Sequence, residues 1–199
     1  MDINLEKKRI YALVGENGVG KTTLLRGLAG LINFNEKRYK FGDYFYFIGE
    51  EMNVLDYLTG RDNLILIAKL KNLETSSITP IIKLNNLEPF IDNLVLTYSK
   101  GMLEKLKLSI GLLVSPKVLL LDEPFTSLDL NNIELLQSSI KEFVSSGEHS
   151  VILSTHSIDI INVMADEILI LSEGKLSRLD KSHSDIKKLK EIISKNSSR

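Results

Sequence analysis

Short apolar segments alternate with longer amphipathic segments along much of the chain. The apolar segments have the length of β-strands and are bounded by turn residues; they lie at residues 10–14, 44–48, 118–121, 151–153 and 168–171. Their nearly continuous hydrophobicity is typical of parallel strands that are buried on both faces. Segments with helical spacing of apolar residues lie between them, at residues 21–31, 131–144 and 157–164. This alternation predicts an α/β fold with a mostly parallel sheet.

The alternation stops between residues 59 and 115. This stretch contains segments with helical periodicity and none that is typical of a strand; the helical segments are residues 61–71, 78–85 and 102–114. We therefore predict an α-helical subdomain that is inserted between two strands of the core. The sequence Glu173-Gly174 then predicts a hairpin turn between strands at residues 167–172 and 175–179.

The length of 199 residues suits a single domain. We expect residues 1–58 and 116–182 to form its α/β core and residues 59–115 its helical subdomain. Residues 183–199 form a basic tail with apolar residues at helical spacing. A solvated helix on the body of the domain is one interpretation of this tail, and contact with an anionic membrane surface or a partner is the other.

The composition excludes several classes of protein. Hydrophobic residues make up 43% of the chain and charged residues 26%, which is not typical of disorder, and the lack of Cys excludes a disulfide scaffold or a Cys-ligated zinc site. We find no membrane-spanning segment or secretory signal, so we expect the chain in the cytosol. The net charge of -1 gives no electrostatic reason to expect nucleic acid as a partner.

Residues 15–22, GENGVGKT, fit the pattern G-x-x-x-x-G-K-[ST] and lie between a predicted strand and a predicted helix. Glycines in such a loop let backbone N–H groups surround phosphate oxygens, and the following helix N-terminus adds the positive end of its dipole. We expect Lys21 to reach the β- and γ-phosphates and Thr22 to offer its hydroxyl to Mg²⁺. This segment, called the phosphate loop below, predicts a nucleoside triphosphate site.

Two adjacent carboxylates follow the predicted strand at residues 118–121. Asp122 and Glu123 stand at the carboxyl end of this strand, which is the edge where ligands bind in open α/β sheets. One carboxylate can hold Mg²⁺, and the other can polarise an attacking water. In combination with the phosphate loop, the pair predicts hydrolysis of the bound nucleotide.

Six motifs, in their order along the chain, resemble those of ATP-binding cassette (ABC) ATPases, and the resemblance covers about residues 10–179. Two of them are the phosphate loop and the acidic strand end. Residues 47–64 are similar to the Gln loop, and YSKGM at residues 98–102 stands at the position of the LSGGQ signature. SLD at residues 127–129 matches the D-loop, and STH at residues 154–156 contains the switch histidine. The resemblance implies a P-loop NTPase fold and an ATPase that powers an ABC transporter.

The resemblance also implies a role for each matching residue. Asp122 would help to hold Mg²⁺, Glu123 would be the general base and His156 would contact the γ-phosphate. The phosphates would be bound by the phosphate loop and its continuation, namely Gly15, Asn17, Gly18, Val19, Gly20, Lys21, Thr22 and Thr23. The remaining histidines, His149 and His183, have polar neighbours in the sequence, and we expect both at the surface.

Three further residues carry the expectation of a second subunit. By the same resemblance, Ser99 and Gly101 would bind the γ-phosphate of a nucleotide held by a facing subunit, and Asp129 would lie at that interface. One chain then provides half of a site, and ATP would lie between two ATP-binding subunits. Ser99 also precedes a predicted helix, and a Ser at this position is commonly an N-cap. Both interpretations can hold, because a helix N-terminus offers the same donors to a phosphate.

The sequence departs from the family pattern at several positions. Glu50 stands where most members have Gln, and its carboxylate could still ligate Mg²⁺; Lys100 and Met102 replace Gly and Gln of the signature. The Glu-Glu pair with YSKGM resembles the small ATPases of ABC-2 type exporters. Only fourteen residues precede Gly15, and the expected adenine-stacking aromatic residue upstream is absent, so we expect weak base selectivity. Tyr11 is expected to pack in the core instead.

The sequence therefore indicates an ATP- and Mg²⁺-dependent subunit of an ABC transporter, an exporter by its subfamily resemblance. We expect a homo- or heterodimer with separately encoded membrane subunits, at the inner face of the cell membrane. The alternative is a soluble ABC ATPase that acts on DNA or ribosomes. The SLD and STH motifs argue against a P-loop kinase or GTPase, and the presence of Glu123 and His156 argues against a subunit that only binds nucleotide.

Overall fold

The computed structural model describes residues 5–33, 44–52 and 54–179. The strands of these residues form one six-stranded sheet. They are β1 (Ile10–Val14), β2 (Phe45–Ile48), β3 (Val118–Asp122), β4 (Ser150–Ser154), β5 (Glu167–Ser172) and β6 (Lys175–Leu179). The α-helices are α1 (Lys21–Leu28), α2 (Gly60–Leu70), α3 (Ile78–Leu84), α4 (Lys100–Val114), α5 (Leu130–Ser146) and α6 (Ile158–Met164), with 3₁₀ turns at Thr75–Ser77 and Val95–Thr97.

The sheet is mostly parallel, as predicted, and the α/β fold class is confirmed. Its strand order is β2-β3-β4-β1-β5-β6, and β6 alone among these strands is antiparallel to its neighbour. Since β1, β3 and β4 are adjacent in this order and run in the same direction, their carboxyl ends meet at one edge. In this register Asp122 at the end of β3 lies opposite Ser154 at the end of β4.

Helices cover both faces of the sheet. Leu24 and Leu25 of α1 pack on one face against Leu13 and Leu120, whereas α4, α5 and α6 pack on the other. Strands β1 and β4 are buried at every position, as their continuous hydrophobicity predicts. Strand β2 differs from this expectation. Three of its four residues are partly exposed, because β2 lies at the edge of the described sheet and has one strand neighbour there.

Helix α4 connects the helical region with the sheet. Its residues Leu106 and Ile110 belong to a core shared with α2 and α3, whereas Leu108 and Leu112 pack against the sheet. At Gly111 the helix comes close to the strands: a Cβ atom there would lie 2.5 Å from Ile48 Cδ1 and 2.9 Å from Leu119 Cδ1. The helices α2 to α4 fall on the segments predicted to be helical, and the boundaries of a separate subdomain stay a prediction.

Helix α1 ends earlier than its apolar pattern predicts. Gly30 has φ of +69°, and the N–H groups of Gly30 and Leu31 donate to the carbonyl oxygens of Gly27 and Arg26. This is the Schellman motif, in which a glycine in the left-handed conformation terminates a helix. The segment predicted to reach residue 31 therefore ends at Leu28.

His149 is less exposed than its polar sequence neighbours predict. Its ring is half-buried and stacks on Phe143, with centroids 4.2 Å apart and an interplanar angle of 18°, and Nδ1 lies 2.8 Å from the carbonyl oxygen of Pro116.

Tyr11 is completely buried, as predicted. His183 and the basic tail at residues 183–199 lie outside the described residues. Of the helices in the described ranges, none has the length and apolar character to span a bilayer.

Candidate functional site

The phosphate loop connects β1 to α1. Gly18 and Gly20 have φ of +75° and +104°, a conformation that suits glycine because side chains rarely adopt it. At Gly15 the requirement is space, since a Cβ atom there would lie 2.5 Å from the carbonyl oxygen of Leu171. Residues Glu16 to Gly18 are exposed, so the outer part of the loop is open to a ligand.

Lys21 is the first residue of α1, and its side chain folds back over the loop. Nζ donates to the carbonyl oxygens of Gly15 and Glu16, at 3.0 and 3.1 Å. The residue is buried, and this burial lowers the pKa of the ammonium group, while the carboxylates of Glu123 and Asp122 oppose the shift. The structure thus holds a positive charge at the base of the loop, next to two carboxylates.

Asp122 is held by two hydroxyl groups that come from other parts of the chain. Thr22 Oγ1 donates to one carboxylate oxygen of Asp122 at 2.6 Å, and Ser154 Oγ donates to the other at 2.6 Å. Ser154 is completely buried, and its Oγ also accepts the backbone N–H of Glu123 at 2.9 Å. The sequence places Ser154 in the STH motif but assigns it no role. Its direct hydrogen bonds to both acidic residues follow from the β3–β4 register.

Glu123 follows β3 with φ of +51° and directs its side chain at His156. Oε1 lies 3.1 Å from His156 Nε2, but the geometry does not make a hydrogen bond, and this buried oxygen has no hydrogen-bond partner among the described residues. Oε2 accepts a 3.4 Å hydrogen bond from Thr126. Burial raises the pKa of Glu123; Lys21 opposes this, and Asp122 adds to it. One carboxylate oxygen is therefore available to accept a proton or a new donor.

Burial and the positive charge of Lys21 lower the pKa of His156. Glu123 and His156 thus lie in contact, with the pKa of the carboxyl raised and the pKa of the imidazole lowered. A cavity of about 1000 Å³ opens beside the two residues, and Thr22, Glu50, Lys100 and Asp122 also line it. The structure therefore brings the predicted metal and catalytic residues to one cavity, namely Thr22, Glu50, Asp122, Glu123 and His156. Of the predicted phosphate-binding residues, Thr22 lines this cavity.

The remaining predicted residues form a second group at the N-termini of two helices. Ser99 caps α4 by accepting the N–H of Met102 at 3.3 Å, and Asp129 caps α5 by accepting the N–H of Asn132 at 2.9 Å. Gly101 brings the two helices together, because a Cβ atom there would lie 2.8 Å from Asn132 Nδ2. The N-cap interpretation of Ser99 is thus confirmed.

The oxygen atoms around the cavity fit a magnesium ion that is held jointly with phosphate. Thr22 and Asp122 provide a hydroxyl and a carboxylate in contact, and Glu50 is an exposed carboxylate on the same cavity. Within the described ranges, His, Cys, Asp and Glu side chains form no group of three or more that could hold a metal by themselves. Mg²⁺ characteristically takes few protein ligands and completes its coordination with water and substrate phosphates.

Comparison with known proteins gives consistent results. A family model described as ABC transporter matches residues 1–126. The lantibiotic transport ATP-binding protein SrtF of Streptococcus pyogenes is 30% identical over 202 residues, which cover 97% of this chain and 87% of that protein. The bacitracin transport ATP-binding protein BcrA of Bacillus licheniformis is 31% identical over 189 residues, which cover 88% of this chain but 62% of that protein.

Two solved structures share the fold. One is described as the ATP-binding subunit of an ABC transporter; it has a TM-score of 0.81 at 24% identity and covers 96% of this chain and 90% of its own. The other is an inward-facing conformation of a metal-chelate type ABC transporter, with a TM-score of 0.76 at 20% identity, covering 90% of this chain and 75% of its own.

Proposed function

The chain belongs to the ABC transporter family as one of its ATP-binding, ATP-hydrolysing subunits, and on that premise we propose that it powers an exporter through ATP-driven dimerisation. The names of SrtF and BcrA refer to lantibiotic and bacitracin transport. They support an exporter whose substrate is a peptide antibiotic. The observation that carries the proposal is the convergence of Thr22, Asp122, Glu123 and His156 on one cavity beside Lys21.

In this proposal the phosphate loop binds the nucleotide. Backbone N–H groups of the loop, from Gly15 through Asn17, Gly18, Val19 and Gly20 to Thr23, surround the phosphates at the N-terminus of α1. Lys21 adds a positive charge that burial makes effective, since charge interactions are stronger away from water. Thr22, Asp122 and Glu50 hold Mg²⁺, which neutralises phosphate charge when it is bound.

Glu123 is the proposed general base. Its Oε1 is buried and accepts no hydrogen bond from the described residues, so it can accept one from an attacking water. The raised pKa makes the carboxylate a stronger base than an exposed one. His156 lies 3.1 Å away, and its neutral ring can orient the same water or donate to the γ-phosphate.

Ser99, Gly101 and Asp129 support the second subunit in the proposal. They lie at the N-termini of α4 and α5, where backbone N–H groups and the positive helix ends favour an anion. Lys100, beside Ser99, lines the cavity and adds a positive charge. A second copy or a related subunit would bring its nucleotide to these helix ends.

An exposed apolar cluster supports a protein partner, which we propose to be a membrane subunit. It consists of Leu55, Tyr57, Leu94 and Leu96, with Tyr57 86% exposed. Two backbone hydrogen bonds hold its two segments together, from Leu96 N to Asp56 O at 2.9 Å and from Val95 N to Leu58 O at 3.0 Å. Such a cluster on a fixed backbone is typical of an interaction surface. It follows shortly after Glu50, so the partner would be linked to the nucleotide site.

Membrane fractionation of cells expressing the tagged full chain tests this function. We expect the chain in the membrane fraction, with a membrane protein co-purifying, and expect Tyr57→Asp to weaken that association at least about tenfold, because an interface centre excludes an unpaired charge. Leu70→Asp is the matched control, since Leu70 is 68% exposed at the end of α2 and lies outside the cluster. Recovery of the chain with ribosomes or DNA instead would favour a non-transport ABC ATPase.

A further inference from the structure

Lys107 is a buried charged residue of α4 for which the proposed mechanism has no use. Its side chain is 4% exposed, and its helix neighbours Leu106 and Leu108 are core residues. Nζ lies 3.3 Å from the carbonyl oxygens of both Gly49 and Glu50 and 3.2 Å from Glu104 Oε1. The three N–H bonds of the ammonium group are therefore matched by three oxygen atoms.

Packing alone does not account for a lysine at this position. The removal of an ammonium group from water is costly, and a buried ion pair is often no more stabilising than apolar side chains of similar volume. The buried residue one turn further along the same face of α4 is Gly111, which lies against Ile48 and Leu119 of the sheet. The contacts of Lys107 thus indicate that the carbonyl groups of Gly49 and Glu50 must be held in a fixed position.

Those partners belong to the loop that follows β2 and carries Glu50. Gly49 O also accepts the N–H of Met52 at 3.1 Å, so the loop is a closed turn. A Cβ atom on Gly49 would lie 2.6 Å from the ring of Phe47 and 3.5 Å from Cβ of Asp122. The turn is therefore confined between the end of β3 on one side and Lys107 on the other.

The same lysine belongs to the helix that begins beyond Ser99. Lys107 lies eight positions after Ser99, which is about two turns of α-helix. A rigid helix of 15 residues therefore connects the Glu50 loop to the helix N-terminus that faces the cavity at Lys100. Movement of either end changes the position of the other, provided that Lys107 keeps its three contacts.

We propose that Lys107 is a positioning residue that fixes the Glu50 loop to α4 and couples the two during ATP turnover. It acts through the loop backbone, at the carbonyl groups of Gly49 and Glu50. The ATPase readout rests on the proposed function, whereas the position of the loop can be measured without it.

Amide hydrogen exchange and steady-state kinetics of the full chain with Lys107→Met test this coupling. Met has a similar length and no charge, so the core stays filled while the three contacts are lost. We expect exchange at residues 49–52 to rise at least about tenfold and exchange in β3 and β4 to stay unchanged. We expect kcat to fall at least about tenfold while KM for ATP changes less than about threefold. Lys141→Met, at an exposed position of α5, is the control and should match the parent.

An exchange rate at residues 49–52 within about twofold of the parent would overturn the proposal, and so would a rise throughout α4 and the sheet, which indicates a purely structural role. If Lys107→Met does not fold, Lys107→Gln gives the same measurement with a polar side chain, and the same two results decide it. A parent chain without ATPase activity would contradict the proposed function and leave the exchange result as a separate test of Lys107.

Discussion

Thr22 Oγ1 donates a 2.6 Å hydrogen bond to Asp122 although the two lie 100 positions apart in the sequence. Thr22 is the last residue of the phosphate loop and lies on the first turn of α1, and Asp122 is the last residue of β3. They meet because β4 lies between β1 and β3 and all three strands are parallel. Ser154 of β4 completes the arrangement by donating to the second carboxylate oxygen. The Asp122 carboxylate is thus fixed by groups from two other parts of the chain.

Replacement of Glu123 by Gln is expected to abolish steady ATP hydrolysis and to keep ATP binding. The amide has the shape of the carboxylate but cannot accept a proton from water, so we expect kcat to fall at least about a hundredfold with little change in the Kd of ATP. With ATP the variant should accumulate as a dimer. Phosphate release, equilibrium titration and size-exclusion chromatography measure these effects. Glu142→Gln, at an exposed position, is the control, and normal turnover in Glu123→Gln would exclude Glu123 as the base.

The same variant should be more stable than the parent at neutral pH. Burial raises the pKa of Glu123 above its ordinary value of 4.5, so the folded state holds this proton more tightly than the unfolded chain. The contribution of Glu123 to stability is therefore present at low pH and is lost as pH rises through the folded pKa. Urea unfolding at several pH values should show an advantage of Glu123→Gln that grows with pH; a constant difference would contradict this.

The histidine next to Glu123 should give the opposite pH dependence. Burial, with the charge of Lys21, lowers the pKa of His156 below 6.5, so the unfolded chain is protonated at a higher pH than the folded state. The contribution of His156 to stability is present above pH 6.5 and is lost as pH falls through the pKa that His156 has in the folded state. Between about pH 7 and about pH 5, the free energy of unfolding should fall more steeply for the parent than for His156→Gln. Parallel curves in urea titrations would contradict the expectation.

Lys21→Met is expected to bind ATP more weakly than the parent and to keep its fold. The loss of the ammonium group should weaken ATP affinity at least about tenfold. Burial lowers the pKa of Lys21 below its ordinary value of 10.5. The charged side chain therefore destabilises the folded state at every pH below the pKa that Lys21 has there, and Met removes this cost. The two hydrogen bonds to Gly15 and Glu16 are lost at the same time, so unfolding free energy should stay within about 1 kcal/mol of the parent. Titration with ATP and urea unfolding measure the two quantities, and unchanged affinity would exclude the proposed role.

Gly15 and Gly18 should respond differently to substitution. Ala at Gly15 brings a Cβ atom to 2.5 Å from a backbone oxygen of β5, and we expect a cost of about 1–3 kcal/mol in unfolding free energy. Gly18 has φ of +75°, and a Cβ atom there would meet no described atom within 4 Å. Asn tolerates this backbone conformation, so Gly18→Asn should cost less than about 1 kcal/mol. Urea unfolding compares the pair. Equal losses would show that space at Gly15 is not limiting.

Several structural features could not be predicted from local sequence. The buried strands could be predicted, because a segment such as Ile10–Val14 is apolar throughout. The edge position of β2 could not, because it depends on which strands pair. His149 has polar neighbours in the sequence, but Phe143 on α5 covers its ring. The contact of Lys107 with the Glu50 loop spans 57 residues and has no periodic signal.

By itself the sequence determined the kinds of element, the conformation of the phosphate loop and the residues that stand at strand ends. These properties depend on neighbours within a few positions, through side-chain periodicity and the backbone freedom of glycine. Only the tertiary structure decided that Thr22, Asp122 and Ser154 share hydrogen bonds and that Glu123 has a raised and His156 a lowered pKa. Burial and strand order produce these properties, and both arise from contacts between residues that are distant in the chain.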